Sequence, residues 1–339
     1  MKHISFRPIW FDSLGAKSSC VLVWTKDVRI LIDPGAAIMQ PSFPANLVKK
    51  LYWLAKAKLS IRKSAKSANV VVISHYHYDH FVDFDKQLYE HKIVFAKNPN
   101  EFINESQRKR AETFFQHYCR SIGKQKLKTI EIEEKEEYED AIKELSRNLS
   151  KETFEKGLKW FKNLSEKWKT WERIPELSFK NGSLKFPEGK TFTFGRTKLQ
   201  MSEPFFHGVE FSKIGWIFST IVKHGKEKLI HSSDLNGPVI ENYAEWIIDQ
   251  NPNILILDGP STYMLGYLVA KSNLKRAVKN AERILEEASN LEILIYDHHL
   301  LREPKFKEKT AEVWKTGERK GVKVLTAAEF LGRKPVVLG

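Results

Sequence analysis

The residues best equipped for chemistry in this 339-residue chain lie in one octapeptide, SHYHYDHF at 74–81. His75 and His77 are two residues apart. On extended backbone both imidazoles therefore project to the same side, where they can share one cation. If the chain turns immediately afterwards, Asp79 and His80 face a second cation nearby. Four potential ligands in six residues are poorly explained by packing, because a solvated loop has no need of three histidines.

The element that positions this cluster is the run NVVVIS at 69–74, apolar and β-branched as a strand buried on both faces should be. Upstream, CVLVWTKDVRILIDP at 20–34 predicts a hairpin turning at Thr25 to Asp27 and ending at Asp33, followed by a helix near 47–63. A short strand at 92–96 leads into a charged region, 98–181, where helical periodicity dominates. Phe154, Leu158, Phe161, Leu164, Trp168 and Trp171 mark one face of a helix there. That stripe must be covered, either by the core or, as a lid or subunit contact, by something else, so an oligomer joined through 154–171 is one reading. The run EIEEKEEYED at 131–140 reads as a solvated helical face. Strand signals return at 190–201, 216–222 and 228–231, with HGKEK at 224–228 as a hairpin turn. The last third alternates strand 254–257, helix 272–288, strand 293–296, helix 309–319 and strand 322–325. The expectation is one domain over 1–339, a sheet sandwich covered by helices on both sides, with 98–181 as a helical insertion.

The HxHxDH pattern after an apolar strand resembles the metallo-β-lactamase superfamily of hydrolases. The resemblance implies a four-layer αββα sandwich with two divalent cations at one edge of the paired sheets, zinc first, iron or manganese as alternatives. It also implies further ligands in a fixed order at strand ends. His207 in PFFHG matches the third histidine, and Asp234 in LIHSSDLNG resembles the carboxylate that bridges the two cations. LIYDHHLLRE at 294–303 supplies the last histidine, with His298 as the match and His299 as its alternate. Asp33, Asp258 and Asp297, each at the end of a strand signal, are expected to support the ligands rather than bind metal. Two cations so held would lower the pKa of a water from ~15.7 towards ~7, with Asp79 as a proton relay.

Composition narrows the partner. Lys and Arg outnumber Asp and Glu by 56 to 42, a formal charge of +14 that attracts anionic substrates such as RNA or DNA. With the nuclease-like placement of Asp258, this favours hydrolysis of a phosphoester over a thioester, lactone or other carboxylic ester. A non-catalytic metal-binding scaffold is a third reading, and it would be signalled by loss of a ligand, of which the sequence shows none. Only two cysteines, Cys20 and Cys119, and no apolar run of signal-peptide or membrane-spanning length point to a cytoplasmic protein with no membrane association.

Overall fold

A computed structural model of the chain describes residues 3–131, 138 and 149–339; most of the acidic run at 131–140 lies outside them. The first sheet contains β1 (Ser5–Phe11), β2 (Ser19–Trp24), β3 (Arg29–Ile32), β4 (Val70–Ile73), β5 (Ile93–Ala96), β6 (Leu177–Phe179) and β7 (Gly182–Lys185), in the order β1-β2-β3-β4-β5-β7-β6. Strands β1 to β3 are antiparallel, β3, β4, β5 and β7 run parallel, and β6 folds back on β7. The second sheet contains β8 (Thr191–Phe194) and β9 (Thr197–Met201). A small separate ribbon, β10 (Phe205–Phe206) with β11 (Trp216–Ile217), interrupts the chain here. Then come β12 (Thr220–His224), β13 (Glu227–His231), β14 (Ile254–Asp258), β15 (Ile293–Asp297) and β16 (Lys323–Leu325), so the second sheet reads β16-β15-β14-β13-β12-β9-β8.

Alternation on the central strands explains why their sequences are apolar throughout. Val70 and Val72 point between the sheets, where Val21, Ile30, Leu199, Val222, Ile254 and Ile256 meet them. Val71 and Ile73 point the other way, under α1 (Leu47–Ala65) and, past the short α2 (Lys86–Tyr89), under α3 (Glu105–Tyr118), which contribute Ala57, Ile61, Phe114 and Phe115. The second sheet repeats this: Leu255 and Leu257 face outward with Ile230 and Leu294. Together with α4 (Lys151–Trp168), they are covered by α5 (Glu241–Gln250), α6 (Lys271–Glu287), α7 (Phe306–Lys309) and α8 (Ala311–Lys320). The last short helix is α9 (Ala327–Phe330). Residues buried on both sides of both sheets define four layers, helix, sheet, sheet, helix, as expected.

The stripe on α4 is taken up inside the chain. Phe161 and Trp168 are fully buried, the Trp168 ring lies 5.5 Å from Trp216 of β11, and its indole N–H donates to the Ile103 carbonyl at 2.9 Å. The N-terminal segment forms an edge strand, β1, with no clear signal in the sequence because Pro8 and Arg7 interrupt its apolar pattern. The region 98–181, expected to be helical, is not so to its end, because β6 and the turn after it return the chain to the first sheet. Among the described residues no helix is long and apolar enough to cross a membrane.

Candidate metal centre

β4 ends at Ile73, and Asp33, at the end of the neighbouring β3, fastens the turn that follows. Its Oδ1 accepts the Ser74 N–H at 2.8 Å, and its Oδ2 accepts the Ser74 hydroxyl at 2.8 Å and lies 2.9 Å from His80 Nδ1. The His80 N–H and the Phe81 N–H both donate to the His77 carbonyl, closing a tight turn that swings His80 back under His75. Gly35 lies against this turn. A Cβ there would sit 2.3 Å from Phe81 N and 2.5 Å from His80 N, so only glycine lets the two segments meet.

Among the described residues three sets of donor atoms converge, the atoms of each set lying within 4.8 Å of one another: His75, His77, His207 and Asp234; Asp79, His80 and His298; and Asp234, Asp258, His298 and His299. Asp234, just beyond β13 and 1% exposed, joins them. Its Oδ2 is 2.9 Å from His207 Nε2 and 3.5 Å from His75 Nε2, whereas its Oδ1 is 3.0 Å from His80 Nε2 and 3.4 Å from His298 Nε2. Imidazole nitrogens also meet directly, His75 Nε2 and His77 Nδ1 at 2.9 Å, His80 Nε2 and His298 Nε2 at 3.1 Å. Within each pair at most one nitrogen can donate to the other comfortably, so lone pairs are crowded onto shared points.

The crowding provides a test of whether divalent cations fit. Asp234 Oδ1 is buried and aligned for a hydrogen bond with no neighbour, although two imidazole nitrogens are close. A buried carboxylate oxygen without a hydrogen bond is costly, and imidazole and carboxylate donors suit zinc and similar ions. Protonation agrees. Burial, reinforced by His80, holds His75 well below the usual imidazole value; burial with His207 takes His77 down to about 3; and burial with Arg302 depresses His299. Burial works against the charged form of His80 as well, but Asp234 and Asp33 outweigh it and raise that ring well above the ordinary value. Asp12 and Asp234 likewise lift His298 to about 9 against burial. A positive charge is thus favoured on the His80–His298 side of Asp234 even before a metal is considered.

Every residue singled out from the sequence except Asp297 lies in these groups or touches a ring in them. Asp258 Oδ1 is 2.8 Å from His299 Nδ1, and burial with the adjacent Asp234 pushes its carboxyl up to about 7. Asp297 touches neither ring. Its oxygens accept backbone N–H groups of Ser13, His298 and Ala327 at 3.1, 2.7 and 2.7 Å, so it anchors main chain instead of orienting an imidazole. The carboxylate on the His298 ring is Asp12, with Oδ1 2.9 Å from Nδ1, and Arg302 lies beyond it. Neither carries a signal in the sequence: Asp12 follows a strand without a clean apolar period, and Arg302 is the charge that ends the short apolar pair Leu300–Leu301. Solvent reaches the cluster beside Asp79 and His77, which are partly exposed, next to exposed Tyr78.

Residues 15–144 match the Metallo-beta-lactamase superfamily. Over 98% of its length the chain is 31% identical to the UPF0282 protein of Methanopyrus kandleri, of which it covers 95%. It is 32% identical, over 99% of its length, to the UPF0282 protein of Metallosphaera sedula, of which it covers 90%. Among solved structures, the metallo-beta-lactamase fold protein YhfI from Bacillus subtilis aligns over 95% of each chain with 14% identity and a TM-score of 0.42.

Proposed function

Because the chain belongs to the UPF0282 family of the metallo-beta-lactamase superfamily, we propose that it is a metal-dependent hydrolase working with two divalent cations, zinc first, on a phosphoester. The observation that carries the reading is Asp234, whose two oxygens face different sets of histidines, as a carboxylate shared by two cations must. His75, His77 and His207 would hold one cation with it, and Asp79, His80 and His298 the other. His298 is preferred to His299 because its Nε2 faces His80 and Asp234 and it shares a donor group with Asp79 and His80, a group that does not include His299.

When bound, the cations would supply Lewis acidity, acidifying a water and polarising the scissile oxygen of the substrate. The chain's own contribution is arrangement. Asp33 and Asp12 fix the His80 and His298 rings through Nδ1, leaving each Nε2 free to converge. Asp79, partly exposed, is kept ionised against burial by His80, His298 and Arg302, which suits it to hold a cation; a carboxylate stabilised in this way is a weak base, so as a relay it would carry a proton only in passing, from an attacking water to solvent. The formal charge of +14 supports an anionic substrate, nucleic acid included.

The test is metal analysis of purified, reconstituted protein followed by hydrolysis of a bis-aryl phosphate, an aryl ester and a lactone. Two equivalents of metal with fastest turnover of the phosphate are expected. Absence of bound metal would sink the metal reading, faster ester or lactone turnover the phosphoester, and two metals without any hydrolysis would favour a binding role.

A further inference from the structure

We propose that Asp12 and Arg302, one from each end of the chain, are positioning residues that build the second cation site by holding His298 and Asp79. The inference rests on the two-cation reading above. Asp12 follows β1 directly and is fully buried. Its Oδ1 lies 2.9 Å from His298 Nδ1 and accepts the Ser18 N–H at 2.9 Å, and its Oδ2 accepts from Arg302 Nε at 2.5 Å. Arg302, 4% exposed, uses its other nitrogens separately: Nη1 donates to the Tyr263 phenol at 3.1 Å, and Nη2 lies 3.4 Å from Asp79 Oδ2. One carboxylate and one guanidinium thus link His298 to Asp79, two of the three members of the donor group on the Oδ1 side of Asp234. None of the contacts of Asp12 or Arg302 reaches His75, His77 or His207.

The surroundings fix the pair in place. The turn that carries Asp12 is tied to β15 by the Ser13 N–H on Asp297 and to α9 by the Ala328 N–H on the Ser13 hydroxyl. The carbonyl of Arg302 accepts from Gln40 Nε2 at 3.2 Å, in the segment leading to α1. A buried ion pair is a poor source of stability, because desolvating both charges offsets most of their attraction. Its retention beside a donor cluster is better explained by what its free valences orient: one lone pair sets the His298 ring, and one N–H aims Asp79.

The asymmetry of the contacts makes the consequence selective. In Asp12→Asn, His298 loses its carboxylate and Arg302 its partner, and affinity for the second cation should fall by about 10- to 100-fold, the usual cost of removing a supporting group, while the first equivalent stays bound. Titration of chelator-stripped protein with Co(II), followed by its absorption bands and by total metal analysis, reads the two equivalents separately without any substrate. Arg302→Lys, which keeps the charge but not the fork, should show a weaker second equivalent with an intact first. Because Asp12→Asn leaves a buried cation without its nearest carboxylate, which works against folding, the double variant Asp12→Asn/Arg302→Met removes both charges and must show the same selective loss. If wild-type protein takes up two equivalents and the folded double variant also does, with both affinities unchanged, the inference is overturned; equal weakening of both equivalents overturns it too. If wild-type protein takes up one equivalent or none, the two-cation reading itself has failed.

Discussion

Replacing Asp234 with asparagine keeps the volume of the side chain but removes the charge that faces His75 and His207 on one side and His80 and His298 on the other. Both cations should be weakened together, and metal analysis should show Asp234→Asn near zero equivalents where His77→Ala retains about one. A pH dependence follows from the same atoms. His298, raised to about 9, and His80, also raised well above the ordinary imidazole value, leave at least one proton between their facing nitrogens at neutral pH in chelator-stripped protein. Metal must displace that proton, so apparent affinity rises with pH up to about 9 and weakens as the solution is acidified. Calorimetry at pH 7 in two buffers of different ionisation enthalpy should report net release of at least one proton as the His80–His298 side fills; uptake of metal there without release would contradict the assignment.

Among the elements, the turn after β4 depends on its neighbour's lack of a side chain. Gly35→Ala puts a methyl against backbone at 2.3 to 2.5 Å, and that backbone cannot swing aside as a flexible side chain can. The expected cost is about 1–3 kcal/mol in denaturant unfolding, with loss of metal at least as severe as the loss of stability. Trp168→Ala, at the centre of the aromatic cluster between α4 and β11, should cost about 3–5 kcal/mol without changing metal stoichiometry. These elements were unequally visible in the sequence. β4 announced itself because both its faces are buried, so every residue is apolar, and α4 because one face is aromatic at helical spacing. β1 did not, since an edge strand tolerates Pro8 and Arg7, and β6 and β7 are too short, with Ser178, Gly182 and Lys185 among them, to show a period.

At the level of the whole molecule, the basic surplus predicts that binding of RNA or DNA, measured by fluorescence anisotropy, weakens steeply between 50 and 200 mM salt, on the order of 10³-fold if six phosphates are engaged. Affinity insensitive to salt would argue for a neutral substrate. Long-range pairing also explains what the sequence concealed at the site. Ligands that follow strands carry a local signal, the apolar run before them, and they were readable one by one. Asp12 and Arg302 acquire their meaning only from each other and from His298, at separations of 290 and 286 residues for the two Asp12 contacts, and no spacing rule spans that distance.

That separation also orders the site in time as the chain is synthesised. Every donor of the set His75, His77, His207 and Asp234 has left the ribosome by the time residue 234 emerges, while the set containing Asp79 and His80 waits for His298, 64 residues further on. On the two-cation reading a nascent chain would therefore be able to hold its first cation well before its second, and the guanidinium and carboxylate that meet beside the second act as a latch that closes only after residue 302 has emerged.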